Sequence, residues 1–211
     1  MKTAREDHEI AKIREGILDN ALEIIVQEGF DALTMRRLAG RIGMTAPNIY
    51  NYFSGKHEIY ISIVIRGFEM LYQDLSAAHA SRDDGREQIR EMIRTYLRFG
   101  MEKPRYYDIM FSRPTPKYKD YIGTPFEKLS AVEYRISMQI AELAREAASR
   151  ILRLPENAEI VYLRLIHIWS LLHGMISLHN SHIVGYVVEH PQAVYDKLID
   201  EFIHSLANQA A

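Results

Sequence analysis

Apolar residues recur at three- and four-residue steps near the start of the chain: Ile10, Ile13, Ile17, Leu18, Ala21, Leu22, Ile24 and Ile25. That spacing puts them on one face of a helix. Gly29 ends the helix, because glycine takes the left-handed closing conformation at little cost, and Phe30 and Leu33 cover its end. Thr34 is a good N-cap for a short second helix with the stripe Leu38, Ala39 and Ile42, which Gly43 stops. Thr45 caps a third, with Pro47 in the first turn where its missing amide proton costs nothing; this helix is expected to run to about Asn51 or Tyr52. Two short helices around a glycine-containing turn make a helix-turn-helix, and the first helix supplies its packing face.

Ser54 and Gly55 break the chain before a long helix with the stripe Ile59, Ile63, Val64, Phe68, Leu71 and Leu75. A polar turn from Ser81 to Gly85 precedes a fifth helix carrying Ile89, Ile93, Tyr96, Leu97 and Gly100, which Pro104 ends. A short aromatic helix is expected from Arg105 to Ser112, a loop from Pro114 to Pro125, and a helix again from Phe126 to Leu152. Pro155 is expected to open a helix reaching about His182, apolar on nearly every side through Ile160, Val161, Leu165, Ile168, Leu172 and Met175 among others. A helix apolar all round must be covered all round. Pro191 starts the last helix, with Val194, Leu198, Ile199, Phe202, Ile203 and Leu206. No strand is expected. The fold class is therefore all-α, with a three-helix helix-turn-helix module at 1–56 and a larger helical module at 57–211, about nine helices together.

Composition narrows the function. With 47% hydrophobic and 26% charged residues, 11 Gly and 7 Pro, the chain has the profile of a globular protein. It has no cysteine, which excludes thiolate metal sites and cysteine nucleophiles and fits the cytoplasm. Met1 to Ile10 lacks the basic start and apolar run of a signal peptide. Leu163 to Leu178 is interrupted by Arg164, His167 and His173 and falls short of the roughly 18 to 20 apolar residues that span a bilayer, so it is expected to be buried protein. A net charge of -2 argues against indiscriminate coating of nucleic acid. Yet Thr34 to His57 holds Arg36, Arg37, Arg41 and Lys56 with no Asp or Glu, a local formal charge of +4.

The stretch Ala32 to Lys56 closely resembles the DNA-binding signature of the tetracycline-repressor (TetR) family. Thr34, Ala39, Gly43, Thr45, Tyr50, Phe53 and Lys56 match together at the right spacing. The resemblance covers about residues 10 to 60, and the helical remainder is similar to the family's regulatory domain. Trp169 to Gly174, with Phe111, resembles a subgroup with a Trp and a His-Gly pair on that helix. Ala46 and Tyr52 depart from the residues that many relatives carry, a basic or polar residue and His respectively. The resemblance implies that the third helix lies in the major groove, where base edges show a distinguishable pattern. Thr45, Ala46, Pro47 and Asn48 become the base readers, Asn48 suited to adenine; Thr34, Arg36, Tyr50, Asn51 and Lys56 join them at the interface, chiefly on phosphate. Arg37 and Arg41 either add to that grip or solvate the second helix. Phe53 reads as core.

In the larger module Phe99, Tyr106, Tyr107, Met110, Phe111, Tyr134, Met138, Trp169 and His173 are candidate lining for an apolar pocket with polar handles, although aromatic residues at helical spacing also read as plain core. The resemblance implies a small-molecule effector, aromatic or amphipathic by these residues. His167, His173, His179 and His182 invite a metal reading, because His179 and His182 are expected to share a helical face at a three-residue step, but no nearby carboxylate or thiol completes a site, and no cofactor is expected. No phosphate loop, zinc-protease motif or nucleophile elbow appears, so no enzyme is expected. The surplus apolar surface of the last two helices suits a homodimer, which would set two recognition helices roughly 34–36 Å or a multiple apart on a near-palindromic operator in double-stranded DNA. The alternative is a helical carrier of an apolar molecule that binds no DNA.

Overall fold

The computed structural model describes residues 4–208. Among them there is no strand. The chain divides into two compact units: Met1–Phe68 with Arg105–Ile136, and Glu69–Pro104 with Ser137–Ala211.

In the first unit α1 (Ala4–Glu28) ends at Gly29, whose φ of 92° starts a single 3-10 turn, Phe30–Ala32. The short α2 (Met35–Ile42) begins at Thr34, whose hydroxyl accepts from the Arg37 amide, and stops at Gly43 with φ 68°. The third helix, α3 (Ala46–Ile49), is shorter than its pattern suggests. Its last turn tightens, the Tyr52 amide reaching Ile49 O at 2.9 Å, and this swings Phe53 into the core. Leu33, Leu38, Ile49 and Phe53 are buried with Ile17, Ala21, Ile24 and Ile25 of α1. This cluster is the packing that a helix-turn-helix needs on its rear face. The long α4 (Lys56–Ala80) starts in the first unit, its Ile59, Ile63 and Val64 buried.

The first unit is completed by a segment from later in the chain: α6 (Pro104–Tyr107), a π-helical turn (Asp108–Ser112) and the stretch to the start of α7 (Glu127–Leu152). Residues 114–125 are not the plain loop that their Pro and Gly content suggests. They contain a 3-10 turn, Tyr118–Tyr121, that buries Tyr121, and Thr115 is buried as well. Arg105 pairs with Glu23 of α1, and Arg113, held by Asp108, donates to the Val26 carbonyl. That carbonyl lies in the last turn of α1, where no intrahelical donor remains.

In the second unit α5 (Gly85–Glu102), α8 (Glu159–Asn180) and α9 (Pro191–Asn208) pack together. Pro155 does not open α8; residues 155–158 form a turn in which the Ala158 amide reaches Pro155 O, and the helix starts at Glu159. It ends at Asn180, and His182 lies beyond it at φ 59°, so His179 and His182 do not share a helical face. Nor is α8 covered on all sides. Val161, Leu172, Met175 and Ile176 are buried, while Tyr162, Leu163, Ile166 and Trp169 are 44–57% exposed along another face. By length and composition α8 could cross a membrane, but it carries Arg164 and packs one face on α5 and α9.

At Gly100, α5 packs tightly against Ile176 of α8. A Cβ there would lie 2.5 Å from Ile176 Cδ1 and 2.9 Å from its Cγ1 and Cγ2. Alanine usually gains roughly 0.5–1 kcal/mol over glycine inside a helix. Overpacking of a closed core costs about 1–3 kcal/mol and wins here. Gly100→Ala is therefore expected to lower the midpoint of urea unfolding, and Ile176→Val in the same chain to recover part of the loss.

Candidate nucleic-acid interface

Helix α3 is a single turn, too short to be stable alone, and three local devices fix it. The Thr45 hydroxyl accepts from the Asn48 amide at 3.4 Å, Pro47 presets its backbone, and Ile49 is buried beneath it. What remains outside is Thr45, Pro47 and Asn48, all exposed, with Ala46 partly so. The Thr45 hydroxyl still has its proton to donate. Asn48 Oδ1 accepts from Asn51 Nδ2 at 3.3 Å, which orients the amide and leaves one oxygen lone pair and its NH2 group for a partner. Asn51 is exposed, and Tyr50, 54% exposed, stands beside the turn. Behind it, the Arg14 guanidinium lies 4.0 Å over the Phe53 ring and donates to the Tyr52 carbonyl, so the exit from α3 is clamped.

The cations around this corner are less free than the sequence window suggests. Arg37 pairs with Glu28 at the end of α1, Arg41 Nε donates to Asn20 Oδ1 at 3.3 Å, and Lys56 Nζ lies 3.7 Å from Asp31 and 4.4 Å over the Phe30 ring. Arg36 is exposed and has no ion pair among the described residues. Thr34 is exposed at the start of α2. The acids that meet Arg37 and Lys56 precede Thr34 in sequence, so a count inside the window misses them.

The candidate ligand residues fall in both units. In the first, Tyr106 lies 5.4 Å under the Arg66 guanidinium, Tyr107 and Phe111 rings are 5.2 Å apart, and Tyr134 stacks on Tyr118 at 4.9 Å on the surface. Met110 lines a cavity of about 10 Å³ with Tyr60, Tyr121, Lys117 and Glu133, room for one water and not for an organic ligand. Burial pushes the Tyr60 phenol up to about 12, raises Glu133 and lowers Lys117. Lys117 and Glu133 escaped the sequence reading because a loop lysine and a helix-face glutamate look solvated. Within the second unit Phe99 is buried and Met138 is exposed. Trp169 and His173 meet through Tyr96, a residue not among those candidates: Trp169 Nε1 donates to the Tyr96 oxygen at 3.0 Å, and the same hydroxyl is hydrogen-bonded to His173 Nε2 at 3.1 Å. Burial raises the Tyr96 phenol, so that proton stays in place.

Comparison with known proteins agrees with this architecture. Residues 17–63 match the family model "Bacterial regulatory proteins, tetR family", and residues 89–202 match "Tetracyclin repressor-like, C-terminal domain". The chain is 27% identical over 112 residues to the HTH-type transcriptional activator FasR of Mycolicibacterium smegmatis, covering 53% of this chain and 48% of that protein. It is 25% identical over 167 residues to the uncharacterized HTH-type regulator Rv0681 of Mycobacterium tuberculosis, covering 78% and 69%. The chain thus spans about half the length of the first curated relatives that it matches. The solved structure of the putative regulatory protein SCO4313 has the same fold, with a TM-score of 0.69 at 21% identity over 96% of this chain and 98% of that one. Fold and motif are those of helix-turn-helix transcriptional regulators. The chain belongs to the TetR family of transcriptional regulators.

Two imidazoles make stability pH-dependent. His57 and His173 are both held below the usual value of 6.5, chiefly because burial penalises the charged ring, with Lys56 adding for His57. Below that value the unfolded chain binds protons that the folded chain refuses, so this contribution is complete above it and is lost as pH falls. Urea midpoints are expected to drop between about pH 7.5 and about pH 5.5, less steeply for His173→Gln. A slope unchanged by that substitution would show that the ring titrates freely.

Proposed function

We propose that this regulator is a cytoplasmic homodimer that represses from a near-palindromic operator and leaves it when a small-molecule effector binds. The observation that carries the DNA half is the exposed Thr45–Asn48 corner, capped at one end and anchored by Ile49 and Phe53 at the other. A rigid, polar helix start of this size fits the major groove, where Asn48 can take N6 and N7 of an adenine and Ala46 or Pro47 a thymine methyl. Thr34, Arg36, Arg37, Tyr50, Asn51 and Lys56 surround it and are suited to phosphate. Asn48→Ala is expected to weaken binding to DNA upstream of the chain's own coding sequence by about 1–3 kcal/mol and leave random-duplex binding nearly unchanged. Lys56→Ala should weaken both and flatten the log-log salt dependence by about 0.9. Equal affinity of the wild type for both duplexes would overturn a sequence-specific regulator.

The dimer reading rests on the exposed stripe Tyr162, Leu163, Ile166 and Trp169 of α8, which a second copy would bury about a two-fold axis. Leu163→Glu with Ile166→Glu is expected to give monomers by light scattering and to lose operator binding; a variant that stays dimeric would place the interface elsewhere. The effector reading rests on the aromatic candidates Phe99, Tyr106, Tyr107, Met110, Phe111, Tyr134, Met138, Trp169 and His173, which favour an aromatic or amphipathic molecule. The cavity at Met110 has room for no more than a water in this conformation, so a ligand there would have to select a more open one. Such a ligand shifts the population only by its preference for the open state. The sign of regulation is read from transcription with and without the protein, since FasR is named an activator.

A further inference from the structure

We infer that Asp31 competes with the DNA backbone for Lys56 and so holds down the sequence-independent part of DNA binding. This rests on the reading above that Lys56 meets phosphate. The turn that begins at Gly29 places two unlike partners side by side against one ammonium: the Phe30 ring at 4.4 Å from Nζ and the Asp31 carboxylate at 3.7 Å. The ring covers one side of the Lys56 ammonium, on a side chain that is only 30% exposed, while the Asp31 side chain is fully exposed. The ammonium's remaining protons therefore face solvent together with a carboxylate. A phosphate that docks on Lys56 must displace that carboxylate or sit beside it, and either route opposes binding. The pair is loose and solvated, so it is weak enough to be exchanged. The penalty falls on phosphate contact and not on base reading, so it reduces affinity for any duplex. Glu28 stands in the same relation to Arg37 one turn earlier. In a chain whose net charge is -2, two acids beside the cationic corner restrain nonspecific attraction without removing the cations that specific binding uses.

The opposite sign is physically available: Asp31 could hold Lys56 in its docking geometry and so help binding. Affinity separates the two. Full-length wild type, Asp31→Asn, Lys56→Gln and the double variant are titrated at one fixed salt concentration against a duplex from upstream of the chain's own coding sequence and against its scrambled counterpart. Asp31→Asn is expected to tighten both complexes by about two- to five-fold, and most of that gain to disappear in the Lys56→Gln background. Unchanged or weaker binding by Asp31→Asn overturns the inference, as does an equal gain without Lys56, which would mark an effect of overall charge. Wild type that binds neither duplex overturns the regulator reading itself, a result distinct from a bound operator indifferent to Asp31.

Discussion

One turn of helix cannot hold its own shape in water, because nucleation costs more than a single turn of hydrogen bonds returns. The Thr45–Asn48 corner proposed to meet DNA is such a turn, and its shape depends on burial from behind. Ile49 and Phe53 are buried with Leu38 of α2 and the apolar face of α1. The Thr45 cap and Pro47 then need only set the direction in which the turn starts. This division of labour leaves Thr45, Pro47 and Asn48 open to solvent, with Ala46 partly so, on a backbone that tertiary packing, not local propensity, keeps in place.

The end of α1 is the meeting point of that packing. Within three residues it offers a backbone carbonyl to Arg113 and a carboxylate to Arg37, and the turn after it meets Lys56 through Phe30 and Asp31. Segment 105–113, α2 and the first residue of α4 thus all bear on one short stretch of backbone. A displacement of any of them changes the surroundings of the same few atoms, which is the physical requirement for a module whose grip is to respond to events elsewhere in its own unit.

Much of this was legible in the sequence, and what was not has a common cause. Thr34, Gly43 and Thr45 announce their helix ends because capping is local chemistry, and the stripe of α1 announces its buried face. The early end of α3 was hidden, since it follows from where Phe53 goes and not from the residues of the helix. Tyr121 read as a loop residue for the same reason: its burial depends on His57, 3.1 Å away, and Phe126. Apolarity all round α8 was plain, but a sequence cannot say which side its own chain leaves uncovered. At the candidate site, the corner residues were visible in order, while the acids opposite Arg37 and Lys56 lay outside the window that made the patch look purely cationic. Tyr96 was visible as an aromatic, not as the bridge between two candidate residues on a distant helix.

The order in which residues leave the ribosome does not match the order in which they are needed. The first compact unit draws on positions 105–136 as well as on the opening 68. Its arginine at 113 donates to a helix-end carbonyl eighty-seven residues earlier. An emerging nascent chain therefore carries that helix end, its carbonyl satisfied only by solvent, through the synthesis of α4 and α5. The first unit therefore gains all its segments only once residue 136 has been made, well after the three helices at its start.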